Sequence, residues 1–115
     1  MNDLVRPAMY DAWHGIVPLA AVDATAALET VDIVGPICES SDTFARDRVL
    51  PHLAQGARVA ILDAGAYGAV MSSAYNTRPL LPIVMVDGDQ WEVVRDRQLH
   101  EELWAGERIP GFITP

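Results

Sequence analysis

Short apolar runs broken by glycine and proline dominate the hydrophobic pattern of the chain. β-Branched residues are common in these runs, which is typical of strands rather than of helices. Pro18 and Pro36 interrupt two of the runs, because proline cannot donate to a strand ladder. The sequence Asp-Gly-Asp at residues 87–89 predicts a tight hairpin turn. We therefore expect strands at residues 14–22, 30–37, 59–62, 81–86 and 91–95.

One stretch, residues 59–73, changes from a strand pattern to a helix pattern. It reads V-A-I-L-D-A-G-A-Y-G-A-V-M-S-S, and we expect a short buried helix after a turn at residues 63–65. Gly65 and Gly68 bracket Tyr67 where backbone N–H groups at a helix start can receive an anionic group. The alternative, which the local pattern favours, is that Tyr67 packs in a core turn. G-x-x-G is not the dinucleotide-binding pattern.

The rest of the pattern predicts turns and little helix. Ser41 and Asp42 precede a polar stretch at residues 43–48, which we interpret as a short turn capped by these two side chains. Residues 100–105 are typical of a short helix that ends at Gly106. Several short strands, a hairpin and one short central helix predict a mostly-β domain.

Composition and charge exclude several classes of function. The chain has 115 residues and a formal net charge of −8, so it has room for one core and lacks the basic surface that nucleic acids require. No apolar run approaches the ~20 residues that span a bilayer, and Met1–Asp3 does not begin a secretory signal.

The single cysteine, Cys38, fits a reducing cytoplasm. The three histidines are too widely spaced for a metal site, and no G-x-S-x-G motif of a serine hydrolase is present.

Arg6 and Tyr10 are candidates for binding a carboxylate. Pro7 biases Arg6 toward an extended backbone and can open a helical turn through Tyr10 and Trp13. Residues four apart share a helix face, so the guanidinium and the phenol could converge on one carboxylate. The alternative is a surface arginine with Tyr10 and Trp13 packed inward.

Cys38 also has two interpretations. A lone cysteine usually behaves as a small buried hydrophobic residue. Here it follows Pro36, which ends the predicted strand, and it precedes Glu39 on a loop at the rim of the sheet. A thiol is mostly protonated at neutral pH and can act as a general acid.

Three separated motifs resemble those of a known enzyme family. They read R-P-A-M-Y-D-A-W-H at residues 6–14, V-G-P-I-C-E-S-S-D at 34–42 and D-A-G-A-Y-G at 63–68. Over residues 2–87 the chain resembles the C-terminal part of diaminopimelate decarboxylases, pyridoxal-phosphate enzymes of the alanine-racemase-like fold type. The resemblance implies a β-barrel-like or sandwich-like domain with one short helix. It also implies conversion of meso-2,6-diaminopimelate to L-lysine and CO2.

The resemblance implies a role for each candidate residue. Cys38 would protonate the α-carbon after CO2 has left, and Glu39 would bind the distal ammonium group of the substrate. Both would act in the active site of the neighbouring subunit of a homodimer. Arg6 and Tyr10 would contact the distal end of the substrate. Tyr67 would close over the cofactor and contact its phosphate or the substrate.

The absence of lysine limits what the chain can do alone. All eight basic side chains are arginines, whereas enzymes of this type hold pyridoxal phosphate as a Schiff base to a lysine. Arginine stays protonated and cannot replace it. In the family that lysine lies on an N-terminal (β/α)8 barrel. We therefore expect residues 1–115 to be one C-terminal β-domain that is inactive alone, with Met1 internal to a longer protein.

Two alternatives stay open at this point. Ornithine, arginine and carboxynorspermidine decarboxylases share the architecture, although ornithine enzymes tend to have aspartate after the cysteine, where this chain has Glu39. The chain could also be a non-catalytic interaction module that dimerises or docks on a separate barrel subunit.

Overall fold

The computed structural model describes residues 11–23 and 25–113, with every side chain in these ranges except that of Tyr67. The predicted mostly-β fold with one short α-helix is confirmed. In addition, two 3₁₀ turns lie at Tyr75–Thr77 and His100–Leu103. The strands and the helix are β1 (Ile16–Pro18), β2 (Leu28–Val34), β3 (Thr43–Pro51), β4 (Val59–Ile61), α1 (Gly65–Met71), β5 (Ile83–Asp87) and β6 (Gln90–Arg95).

The strands of the described chain form three antiparallel pairs and do not close into a barrel. The pairs are β1 with β4, β2 with β3, and β5 with β6. The longest pair contains a bulge, where Arg46 and Asp47 face Asp32 across the ladder. Asp47 has a positive φ of 52° there, and its N–H donates to Oδ1 of Asp32 at 2.9 Å. This carboxylate replaces the ladder bond that the bulge removes.

A small core joins two of the three pairs. Ile16 of β1 is buried against Ala45 and Leu50 of β3. Half-buried residues of the neighbouring strands pack around this cluster: Val31, Ile33, Val59 and Ile61. The radius of gyration is 18.0 Å, whereas a compact domain of this length has a value of about 13 Å. The domain is therefore elongated, and its core consists of residues from the β1–β4 and β2–β3 pairs.

The hairpin of β5 and β6 stands outside this core. Gly88 has φ +58° and Asp89 does not have a positive φ, as in the type II′ turns that suit two-residue hairpins. Leu80 and Gln98 extend the pair, because each backbone N–H donates to an oxygen of the other residue. No residue of either strand is buried. The hairpin thus forms from local turn chemistry and strand pairing rather than from core packing.

Two predictions of local structure are wrong. Residues 43–48 are not a capped turn but the first part of β3. The alternation of apolar and polar residues does not indicate this strand, because a bulge at Arg46–Arg48 places consecutive charged residues within the ladder. The strand predicted at 14–22 is also shorter, since only Ile16–Pro18 pairs with β4 as a strand.

The helix α1 begins where the pattern predicts, but the prediction that it is buried is wrong. Of the helix residues whose burial is described, only Gly68 is buried, and Val70 is 81% exposed. In residues 11–23 and 25–113, no helix is long and apolar enough to cross a membrane.

Neighbouring residues of β3 test where the core lies. Leu50 is 8% exposed and Val49 is 62% exposed. We expect Leu50→Ala to lower the free energy of unfolding by about 2–5 kcal/mol, because it leaves a cavity in the core. We expect the control Val49→Ala to lower it by less than about 1 kcal/mol. Urea denaturation measures both values, and equal losses would contradict the assignment of Leu50 to the core.

Candidate functional site

The loop between β2 and β3 carries Cys38 and Glu39 and is closed by hydrogen bonds to Asp42. The Gly35 N–H donates to the Asp42 carbonyl at 2.8 Å, which continues the ladder beyond the strands. The Ile37 N–H donates to Oδ2 of the Asp42 carboxylate at 2.7 Å. Ile37 is buried and Cys38 is exposed. The loop therefore anchors one side chain in the domain and presents the next to solvent.

The carboxylate of Glu39 is oriented by its own loop. The Ser41 N–H donates to Oε1 of Glu39 at 3.0 Å, and the Ser41 hydroxyl donates to Oε2. The Glu39 N–H donates to the Ile37 carbonyl at 2.8 Å, and the Glu39 carbonyl accepts from the Asp42 N–H at 3.0 Å. The loop therefore carries an exposed thiol and, at the next residue, an oriented carboxylate.

Residues 13–15 tie β3 to the end of β4. Nη2 of Arg48 donates to the His14 carbonyl at 3.1 Å, and the guanidinium carbon lies 4.2 Å from the centre of the Trp13 ring. On the other side, Nδ1 of His14 lies 3.0 Å from the Leu62 carbonyl, and the Leu62 N–H donates to the Gly15 carbonyl at 2.8 Å. The strand that leads from the Cys38 loop is thus connected to the turn that leads into α1.

An open groove of about 360 Å³ lies beside the Cys38 loop. Ala12 and Trp13 line it from one side, and Ser40 and residues 43–48 line it from the other. The first described residues of the chain therefore approach the loop that presents Cys38.

The structure describes some of the predicted site residues and leaves their roles as predictions. Cys38 and Glu39 lie together on one loop, as their positions in the sequence require. Arg6 and Tyr10 lie outside the described residues. Tyr67 lies in the first turn of α1, but its side chain is outside the described part of the chain. The contacts available to these three side chains stay a prediction.

Sequence reasoning missed three residues that shape this site. The sequence predicts that Ser41 and Asp42 cap a turn, whereas in the structure Ser41 orients Glu39 and Asp42 closes the loop. The Asp42 bond has no local signal, because its carboxylate accepts from the Ile37 N–H earlier in the chain, whereas a typical aspartate turn binds an N–H two residues later. Arg48 gave no local signal, since its partners Trp13 and His14 are distant in sequence.

Metal ligands are not clustered in the described structure. Across residues 11–23 and 25–113, no group of three or more His, Cys, Asp or Glu side chains could hold a metal ion.

Residues 1–65 match the protein family described as "Pyridoxal-dependent decarboxylase, C-terminal sheet domain". The match covers more than half of the chain and includes the loop with Cys38 and Glu39. The chain belongs to this family.

Relatives of known name extend the match over almost the whole chain. The diaminopimelate decarboxylase of Archaeoglobus fulgidus is 46% identical over 97% of the chain and 26% of its own length. The diaminopimelate decarboxylase of Pseudomonas aeruginosa is 50% identical over 95% of the chain and 26% of its own length. The crystal structure of the M. jannaschii diaminopimelate decarboxylase in complex with L-lysine has a TM-score of 0.86 and 38% identity. That match covers 99% of the chain and 26% of the crystallised chain.

The chain thus spans about a quarter of the length of these decarboxylases. Its own residues do not fit covalent attachment of the pyridoxal group that gives the family its name. No lysine is present to form a Schiff base, and the eight arginines cannot serve as the nucleophilic amine.

Two arginines of β3 test the connection through Trp13 and His14. Arg48→Ala removes the ring contact and the bond to the His14 carbonyl, and we expect a loss of about 1–3 kcal/mol in the free energy of unfolding. The guanidinium of Arg46 forms a long, largely exposed ion pair with Asp32, at 3.6 Å. We expect Arg46→Ala to change stability by less than about 0.5 kcal/mol.

Urea denaturation gives the two free energies, and the NMR signal of the Trp13 indole N–H reports the ring contact. We expect that signal to shift in Arg48→Ala and to stay in place in Arg46→Ala. An unshifted signal in both variants would show that Arg48 does not hold Trp13.

Proposed function

We propose that the chain is the C-terminal, substrate-facing domain of a diaminopimelate decarboxylase, which converts meso-2,6-diaminopimelate to L-lysine and CO2. The observation that carries the proposal is the identity of 46–50% to decarboxylases of this name over more than nine-tenths of the chain. The paired thiol and carboxylate of the Cys38 loop support it, since the reaction needs a proton donor and a cation-binding group.

Cys38 supplies the proton in this proposal. Breaking the bond to the departing carboxylate releases CO2 and leaves an electron pair at the α-carbon. Pyridoxal phosphate, when bound, would supply the chemistry that delocalises this electron pair. The thiol then transfers its proton to the α-carbon. This role agrees with the exposure of the Cys38 side chain at the rim of the strand pair.

The carboxylate of Glu39 binds the distal ammonium group of the substrate. The two bonds from Ser41 hold it in one orientation, and an oriented carboxylate binds a cation without first losing side-chain freedom. Arg6 and Tyr10 bind the distal carboxylate, and Tyr67 contacts the cofactor phosphate or the substrate. Together these groups select a substrate that carries both an amine and a carboxylate at its far end.

The domain completes a larger enzyme in this proposal. An N-terminal barrel supplies the lysine that this chain lacks, and a homodimer in the cytoplasm shares active sites between subunits. The apolar side chains exposed on α1, on the β5–β6 hairpin and near residue 112 support such contacts, because large apolar surfaces usually mark interfaces. They include Val70, Met85, Trp91, Ile109 and Phe112.

Substitutions at the loop test the two roles separately. The chain is joined to the barrel of a related diaminopimelate decarboxylase, and steady-state kinetics are measured with meso-diaminopimelate. We expect Cys38→Ala to lower kcat about 10²–10⁴-fold while pyridoxal phosphate still binds, because the positioned acid is lost. We expect Glu39→Gln to raise KM more than it lowers kcat, since a distal contact is made in the ground and transition states alike.

Gln55 is exposed in the turn before β4, and Gln55→Ala is the control that we expect to leave both constants unchanged. A normal kcat for Cys38→Ala would refute its role as the acid.

Mixing two inactive enzymes tests whether the active sites are shared. One carries Cys38→Ala, and the other lacks the Schiff-base lysine of the barrel. If Cys38 serves the neighbouring subunit, one site of each heterodimer has both a lysine and a thiol, so we expect activity to return. Heterodimers that form but stay inactive would exclude action across the interface.

A further inference from the structure

Among the charged residues that the structure describes, Asp42 is the most buried, at 4% exposure. A carboxylate removed from water is stable only when hydrogen bonds compensate for the lost hydration. Its Oδ2 accepts the Ile37 N–H at 2.7 Å, and its carbonyl accepts the Gly35 N–H at 2.8 Å. One residue therefore binds the loop at both the side chain and the backbone.

Gly35 leaves the space that the Asp42 carboxylate occupies. A Cβ atom built on Gly35 would overlap both carboxylate oxygens and the carboxyl carbon of Asp42. The φ of Gly35 is not positive, so the position needs glycine for this close approach rather than for its backbone conformation. The carboxylate thus lies directly against the chain that enters the loop, where a larger side chain at residue 35 would displace it.

We propose that Asp42 is a positioning residue for the decarboxylase reaction, acting through Cys38 and Glu39. The proposal rests on the function proposed above for these two side chains. The Ile37 N–H that the carboxylate binds belongs to the residue just before Cys38. Fixing that peptide sets the direction in which the thiol leaves the loop, and the Asp42 N–H bond to the Glu39 carbonyl fixes the other end.

The size of the expected effect follows from the geometry of proton transfer. A shift of about 1 Å in a reacting group can lower a rate about 10²-fold. Losing the carboxylate leaves the Ile37 N–H unbound in the interior, so the loop is expected to move to satisfy it. Both the thiol and the Glu39 carboxylate would move with it.

The experiment compares substitutions of Asp42 in the full-length chimera of this chain with a diaminopimelate decarboxylase barrel. Asparagine keeps an acceptor oxygen at the same distance from the backbone but has no charge. Glutamate keeps the charge but is one methylene longer, and the close contact with Gly35 leaves no room for it. If the position of the acceptor oxygen matters more than its charge, we expect kcat/KM to fall less than about threefold in Asp42→Asn. We expect it to fall about 10–100-fold in Asp42→Glu and Asp42→Ala.

A double-mutant cycle separates positioning from general structural support. In a Cys38→Ala, Glu39→Gln background, we expect Asp42→Ala to lower kcat/KM by less than a further factor of about three, because residues that act through each other are not additive. A loss of the same factor as in the native background would overturn the proposal. Asp32→Ala is the matched control, since that carboxylate also accepts a backbone N–H across the same strand pair, at 2.9 Å.

All rates are expressed per enzyme molecule that binds pyridoxal phosphate, so that unfolded protein does not count. If Asp42→Ala does not fold, the proposal is tested with the Asn and Glu variants alone. A greater loss of kcat/KM in Asp42→Asn than in Asp42→Glu would overturn it. We expect Asp32→Ala to change kcat/KM less than about twofold; an equal loss there would also overturn it. A normal turnover rate in the single variant Cys38→Ala would instead refute the proposed function itself, so the two failures can be distinguished.

Discussion

The bond between the buried carboxylate of Asp42 and the Ile37 N–H is the constraint on which the candidate site depends. It closes a tight loop on the longest strand pair of the domain. A loop of this kind would otherwise leave backbone groups unpaired near the core, which is unfavourable in any folded protein. Because the loop is anchored on the paired strands β2 and β3, it can hold Cys38 and Glu39 in fixed positions.

A second set of contacts connects the strand after this loop to the rest of the domain. Arg48 contacts Trp13 and His14, and His14 in turn reaches Leu62 at the end of β4. A guanidinium suits this place because it can stack on an aromatic ring and donate a hydrogen bond at the same time. These contacts add to the small core that joins the two strand pairs.

The elongated shape and the exposed apolar side chains fit the proposal that the domain is part of a larger enzyme. A compact domain buries most of its large hydrophobic residues, whereas Val70, Trp91 and Phe112 are exposed here. A hairpin that forms from turn chemistry and strand pairing, without core packing, can project from a core and pack against another polypeptide. The absence of lysine agrees, since the chain's own residues supply no Schiff-base amine.

Local rules determined a large part of this structure. The turn at Gly88 follows from the need for a positive φ in a two-residue hairpin. Pro36 ends the pairing of β2, and the loop with Cys38 and Glu39 follows it. The start of α1 at Gly65 also follows from the local sequence, because glycine and a change of periodicity mark it. In each case the deciding residues are neighbours in sequence.

Only the tertiary structure decided the remaining features. The local pattern does not predict β3, because the charges of Arg46–Arg48 stand at a bulge, where the Asp47 N–H binds Asp32 of the opposite strand. The burial of Asp42 depends on the space beside Gly35, which no local pattern records. Arg48 finds its partners more than thirty residues away. Sequence patterns report what each residue favours among its neighbours, whereas burial and long-range hydrogen bonds depend on which distant segments the fold brings together.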